Sequence, residues 1–208
     1  MTKVIVIGGN IGSGKTTAGR AVAETLGACF VPEPVEEWVQ SGKLAAFYRD
    51  PSKGYDFQTY AMQTRVQALN ARLVQWRHAH DGEMPDVIVL DRWLADDMMF
   101  GKVTHQRGGM TDAEFVQYCK EHSDLVRSVQ KCGFLKEPHT VWLGATPETC
   151  LARLNERGRQ EEQTIDLAYL RDLDGAKPKV SHTLPTDALG ADEVAAALAE
   201  HIRAQLSS

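Results

Sequence analysis

Val4-Ile5-Val6-Ile7-Gly8-Gly9-Asn10-Ile11-Gly12-Ser13-Gly14-Lys15-Thr16-Thr17 is the stretch that decides the fold. Its first half is a short apolar run rich in β-branched residues, which reads as a buried strand. It runs into Gly9-x-x-x-x-Gly14-Lys15-Thr16, and a helical pattern follows at Ala18, Ala21, Val22 and Leu26. Strand, G-x-x-x-x-G-K-T and helix in that order is the context of a phosphate-binding P-loop. Glycines let backbone N–H groups converge on phosphate oxygens, helped by the positive end of the following helix. Lys15 adds a mobile charge near the β/γ-phosphates, and the Thr16 hydroxyl is placed to ligate Mg²⁺. Gly9, Asn10, Ile11, Gly12, Ser13, Gly14, Lys15, Thr16 and Thr17 are therefore predicted to hold a nucleoside triphosphate.

Composition narrows the rest. The 208 residues suit one domain, 1–208, with a sizeable core. A formal charge of −5 argues against a nucleic-acid polymer as partner, since phosphate backbones demand a basic footprint. A single nucleotide needs only a local cluster of cations. Cys29, Cys119, Cys132 and Cys150 lack C-x-x-C spacing, which fits reduced thiols in the cytoplasm better than a zinc site or disulfides. No apolar run approaches the ~18 residues of a membrane span. A strand starting after three residues leaves no room for a targeting peptide.

Apolar runs that read as strands recur at Val4–Gly8, Ala28–Val31, Val87–Leu90, Thr140–Leu143 and, more weakly, Lys179–Leu184. Helical stripes lie between them. Gln58–Trp76 carries Ala61, Val66, Leu69, Leu73 and Trp76; Asp112–Val129 carries Phe115, Cys119, His122, Val126 and Val129. Ala191–Leu206 repeats Val194, Leu198, Ile202 and Leu206, and Thr146-Pro147-Glu148 is a helix start. Gly101–Thr111 reads as the longest surface loop. Alternating strands and helices predict an α/β fold: a five-stranded parallel sheet with helices on both faces.

Ligands of such sheets sit beyond the carboxyl ends of the strands. There the sequence places Glu33 after the second strand and Asp91-Arg92 after the third. Asp91 is a candidate Mg²⁺ ligand with Thr16, and Glu33 a candidate base for an acceptor hydroxyl. Each alone is more often a helix cap or solvated charge; the adjacent P-loop reverses those odds. Arg153 and Arg157 share a helix face, and Arg159 follows Gly158. Glu156, Glu161 and Glu162 would make them a solvated salt-bridge face. The functional reading is a lid over about 153–165 that lays arginines on a transferring phosphoryl group.

Together these residues resemble the deoxynucleoside kinase family, on its deoxycytidine/deoxyguanosine kinase branch. The ordered blocks are Gly9–Thr16, Glu33-Pro-Val-Glu-Glu-Trp38, Tyr48-Arg-Asp-Pro51, Phe57-Gln-Thr-Tyr60, Asp91-Arg92, Ala145–Leu151 and Arg153 through Glu162. The resemblance implies a P-loop kinase fold and Mg-ATP as phosphoryl donor. Glu33 would be the base for a sugar 5′-hydroxyl that Arg92 also binds. Thr16, Asp91 and Glu33 would organise Mg²⁺; Tyr48 and Glu162 would hold the 3′-hydroxyl and leave little space for a 2′-hydroxyl. Trp38, Phe57 and Ala61 would wall the base while Gln58 reads its edge. A homodimer is implied as well. Asp91 stands where cellular members usually carry the longer Glu, and Trp93 where a small Ser is common.

Base choice follows from donors and acceptors. Arg65 lies two helical turns beyond Gln58, and by family spacing Asp97, or its neighbour Asp96, points into the same pocket. An ionised Asp only accepts hydrogen bonds, whereas the Gln58 amide donates and accepts. Cytosine and adenine offer an amino donor beside a ring acceptor; thymine offers a carbonyl, a mismatch of at least ~1–3 kcal/mol. The expectation is deoxycytidine or deoxyadenosine over thymidine, unless Arg65–Asp97 is an ordinary ion pair. A nucleoside monophosphate kinase would need more cations for its acceptor's phosphate than Arg65 and Arg92. A non-catalytic nucleotide-binding subunit would not need Lys15, Glu33, Arg92 and the lid arginines intact.

Overall fold

The computed structural model describes residues 2–133, 135, 137–159 and 162–207. Strand β1 (Lys3–Gly9) lies at the centre of a parallel sheet, between β3 (Val87–Asp91) and β4 (His139–Gly144). The edges are β2 (Cys29–Val31) beside β3 and β5 (His182–Pro185) beside β4. Register sets Ile7 opposite both Asp91 and Val141, so the ends of β1 and β3 and the adjoining part of β4 open on the same side. All of Val4–Gly9 is buried rather than alternating, because helices cover both faces.

On one face, α1 (Lys15–Leu26) and α9 (Ala191–Leu206) pack Val22, Leu198 and Ile202 against Ile5 and Ile7. On the other, α4 (Gly54–Ala79), α5 (Leu94–Gln106) and α6 (Asp112–Gln130) cover Val4, Val6 and Leu90 with Leu69, Leu94 and Tyr118. Each such side chain contributes about 1.5–3 kcal/mol by leaving water. Short helices α2 (Val35–Gln40) and α3 (Lys43–Arg49) bring Trp38 and Phe47 onto Phe57 of α4. Helices α7 (Pro147–Arg157) and α8 (Leu167–Gly175) close over Trp142. The Thr146 hydroxyl caps α7 by accepting from Thr149 N–H at 3.3 Å, with Pro147 in the first turn, as the sequence predicts.

Two boundaries differ from the sequence reading. Most of Gly101–Thr111 is helix: α5 runs to Gln106, and only the last few residues turn. Gly101 is there for packing, since a Cβ would stand 2.2 Å from the Tyr118 ring. The fifth strand begins at His182 rather than Lys179, and its residues alternate between half-buried and exposed. Such an edge strand carries no continuous apolar run to mark its ends. His122 is a satisfied core residue, its ring 2.6 Å from Leu94 O.

Candidate active site

The loop after β1 curls back over the first turn of α1. Gly12 has φ +82°, and a Cβ on it would sit 2.6 Å from Cys150 O, so only glycine lets the loop lie against α7. Asn10 holds the loop from within: its amide donates to Leu170 O and its carbonyl accepts from Ile11 N–H, both at 2.8 Å. Lys15 Nζ donates to Asn10 O at 2.7 Å. Burial pushes the Lys15 ammonium down to about 8, with Arg92 adding to the push against Asp91 and Glu33. Ile11, Gly12, Gly14, Lys15, Thr16 and Thr17 face a cavity of about 280 Å³. Gly9, Asn10 and Ser13 do not line it; their part is to shape the loop.

The same cavity continues to an apolar pocket. Trp38 meets Phe57 edge-on at 5.7 Å and Phe47 stacks on Phe57 at 5.2 Å, with Ala61 beside them in the wall. Tyr48, Phe100 and Tyr169 line it as well. Phe47 and Tyr169 were not singled out from sequence: Phe47 sits in a short helix without a periodic stripe, and Tyr169 beyond the arginine-rich segment.

A buried charge cluster stands between the two halves. Glu33 accepts from Arg92 Nη1 at 2.7 Å and from Arg65 Nη2 at 3.0 Å. Arg65 Nε also meets Asp97 at 3.0 Å, and its Nη1 donates to Asp91 O at 3.2 Å. Burial would raise the Glu33 carboxyl, but Arg92, Arg65 and Lys15 outweigh it and hold the group down at about 2. Arg65 is driven above its ordinary range because Asp97 and Glu33 overcome its desolvation. Arg92 takes φ +62°, a left-handed backbone that costs a non-glycine residue about 1–3 kcal/mol. Its N–H still donates to Ile7 O, its Nη2 donates to Gly9 O at 3.0 Å, and its guanidinium lies over Phe100.

Asp97, not Asp96, faces the cavity, so the one-residue ambiguity resolves toward Asp97. The pair with Arg65 is real and bidentate, and both members also line the pocket. Gln58 Nε2 donates to Thr104 Oγ1 at 3.2 Å. Asp91 is buried; one carboxylate oxygen accepts from Thr16 Oγ1 at 2.5 Å and the other has no partner among the described residues. Desolvation, then the nearby Glu33 charge, raises the Asp91 carboxyl. An unsatisfied buried oxygen beside a threonine hydroxyl fits one protein corner of a Mg²⁺ site, an ion that keeps most of its shell as water and phosphate. Both Glu33 oxygens are held by arginines.

The arginine segment divides. Arg153 and Arg157 both lie on α7 and line the cavity, and Arg153 is also tied to the loop, with Nη1 on Ser13 O at 3.4 Å and Nη2 on Thr186 O at 3.2 Å. Arg157 and Arg159 reach over the cavity mouth, both drawn to Glu162, at 2.6 and 3.6 Å. Within the lid expected over about 153–165, Gln160 and Glu161 lie outside the described residues. Tyr48 and Glu162 line the same cavity. Burial, then Tyr169 and Glu162, pushes the Tyr48 phenol well above its usual range.

Residues 5–187 match the family model described as deoxynucleoside kinase. A deoxyadenosine kinase of Dictyostelium discoideum is 32% identical over 171 residues, 81% of this chain and 62% of that protein. Deoxycytidine kinase 2 of Gallus gallus is 30% identical over 193 residues, 81% of this chain and 70% of the relative. The chain thus spans about two thirds of the length of these relatives. The solved structure of deoxyadenosine kinase from M. mycoides with bound dCTP superposes with a TM-score of 0.74 at 22% identity, covering 97% of this chain and 99% of that one. The fold is that of a P-loop kinase, and the chain belongs to the deoxynucleoside kinase family.

Proposed function

We propose that this protein transfers the γ-phosphoryl group of Mg-ATP to the 5′-hydroxyl of a deoxynucleoside, taking deoxycytidine or deoxyadenosine ahead of thymidine. The observation that carries the reading is one continuous cavity with the P-loop at one end, aromatic walls at the other and Glu33 with Arg92 between them. A donor phosphate cradled by Gly12–Thr17 would face a hydroxyl lying against Glu33. Bound Mg²⁺, held by Thr16 and Asp91, would neutralise charge on the donor phosphates.

In the step, the 5′-oxygen bonds to the γ-phosphorus as the bond to the β,γ-bridging oxygen breaks, and the hydroxyl proton passes to Glu33. Held at about 2, Glu33 is a weak base. Its share is to orient the hydroxyl and receive the proton late, as suits a loose phosphoryl-transfer transition state. Arg92 binds the same oxygen, while Lys15, Arg153, Arg157 and Arg159 neutralise the transferring group. Trp38, Phe57 and Ala61 enclose the base; Tyr48 and Glu162 take the 3′-hydroxyl and crowd out ribose. With one amide N–H on Thr104, Gln58 keeps its second N–H and its carbonyl oxygen for the base, and Asp97 is an acceptor. That set suits the amino donor beside a ring acceptor of cytosine or adenine and mismatches thymine.

We further read the chain as a single cytoplasmic domain acting as a homodimer on small molecules. Four free cysteines support a reducing compartment, and no described helix is long and apolar enough to cross a membrane. Val74 of α4 and Val116 of α6 are exposed apolar residues. The test is a Mg-ATP phosphorylation assay offering deoxycytidine, deoxyadenosine, deoxyguanosine, thymidine and dCMP in parallel. Turnover of the first two well above thymidine is expected. Thymidine first would overturn the base-pocket reading, and dCMP alone would favour a monophosphate kinase.

A further inference from the structure

Three carboxylates, Glu33, Asp96 and Asp91, act on Arg92, and only Glu33 is paired with it. Its Nη1 is drawn forward onto Glu33, while its own Nε is buried without a partner among the described residues. Asp96 is 1% exposed. Its Oδ2 accepts from Trp93 N–H at 3.0 Å, and its Oδ1 is buried and equally unpartnered. Three orphans gather at this strand end: one donor, Arg92 Nε–H, and two acceptors, Asp96 Oδ1 and the Asp91 oxygen already set aside for Mg²⁺. Arg92 Nη2 touches Gly9 O, and a Cβ on the adjacent Gly8 would lie 3.2 Å from Asp96 Oδ1. A buried, unsatisfied polar atom is costly, so complementary pairs left open at a site mark a second arrangement.

Resting on the kinase reading, we infer that Asp96 is a positioning residue for Arg92: its free Oδ1 receives the Arg92 Nε–H when an acceptor hydroxyl engages Glu33. The hydroxyl competes with Arg92 for Glu33, and the retracting guanidinium needs a second anion to fix its plane. Asp96 touches no substrate. The charged and titratable groups around it are Arg92 after β3, Arg65 on α4, Lys15 on α1 and Asp97 on its own helix. Burial raises its carboxyl to about 6 against the pull of Arg92, so the anion forms only above that pH.

Asp96→Asn keeps an oxygen for the Trp93 N–H and removes the charge. In the wild type, kcat for the preferred deoxynucleoside is expected to fall below about pH 6. In Asp96→Asn, kcat is expected to drop about tenfold with little change in KM, and the limb near pH 6 to vanish. Wild-type kcat and an unchanged profile in a folded Asp96→Asn would reduce Asp96 to a helix cap and overturn the inference. Should that variant not fold, Arg92 Nε–H is followed by NMR in the wild type with deoxycytidine bound. A resonance shifting with a midpoint near 6 supports the pair, and one indifferent to pH overturns it. A wild type that binds deoxycytidine yet phosphorylates nothing would fail the kinase reading alone, because the NMR titration still reports on the pair.

Discussion

The buried cluster of the cavity and the segment around Arg157–Glu162 both hold arginine–carboxylate pairs, but in opposite environments. Side chains of Glu33, Arg65, Asp97 and Arg92 are between 2% and 10% exposed, whereas Arg157 and Arg159 are 37% and 49% exposed. In the buried cluster each charge has fixed partners, and removing one strands another in a low dielectric. At the lid the pairs are screened and contribute about 0–1 kcal/mol each. One half is preorganised and couples stability to activity. On the proposed reading, the other would be ordered by phosphate.

The largest effect expected is at Glu33. Glu33→Gln should lower phosphorylation by about 10²–10⁴-fold while nucleotide binding to the P-loop persists, as steady-state kinetics beside ATP titration would show. Near-normal turnover would remove Glu33 from the proton path. At the lid, Arg157→Ala should cost about 10²-fold in kcat with the melting temperature unchanged. A melting shift as large as that of a cluster variant would erase the distinction between the halves.

Arg65→Met should destabilise the fold by about 3–5 kcal/mol, read from thermal or urea unfolding, because Glu33 and Asp97 lose a buried partner. Adding Asp97→Ala should recover part of that loss and move selectivity toward thymidine by about tenfold or more. An unchanged base ranking would return both residues to structure. The smallest effect concerns pH. Lys15 is cationic below about 8 and neutral above it, so ATP affinity should weaken as pH rises past that value. In Lys15→Met the affinity should be low and lose that dependence, measured by fluorescence titration.

The sequence was most legible where burial is continuous. Strand β1, its glycine loop and the start of α1 form an unbroken pattern, and the carboxylates follow the strands that place them. Gly101 opened an expected loop rather than continuing a helix because its role, admitting the Tyr118 ring, depends on packing against α6. Spacing puts Arg153 on one helix face with Arg157, but its partners Ser13 and Thr186 come from two other loops. The double hold on Glu33 by Arg65 and Arg92 was hidden for the same reason. Residue types mark the chemistry, while the partner each charge chooses is a tertiary fact.

The most direct test is a crystal structure with deoxycytidine and a non-hydrolysable ATP analogue. The expected result places the 5′-oxygen within hydrogen-bond reach of Glu33 and Arg92, in line with the γ-phosphorus, and the base between Trp38 and Phe57 beside Gln58. A nucleoside bound with its 5′-oxygen turned away from Glu33, or outside this cavity, would contradict the assignment of the acceptor site.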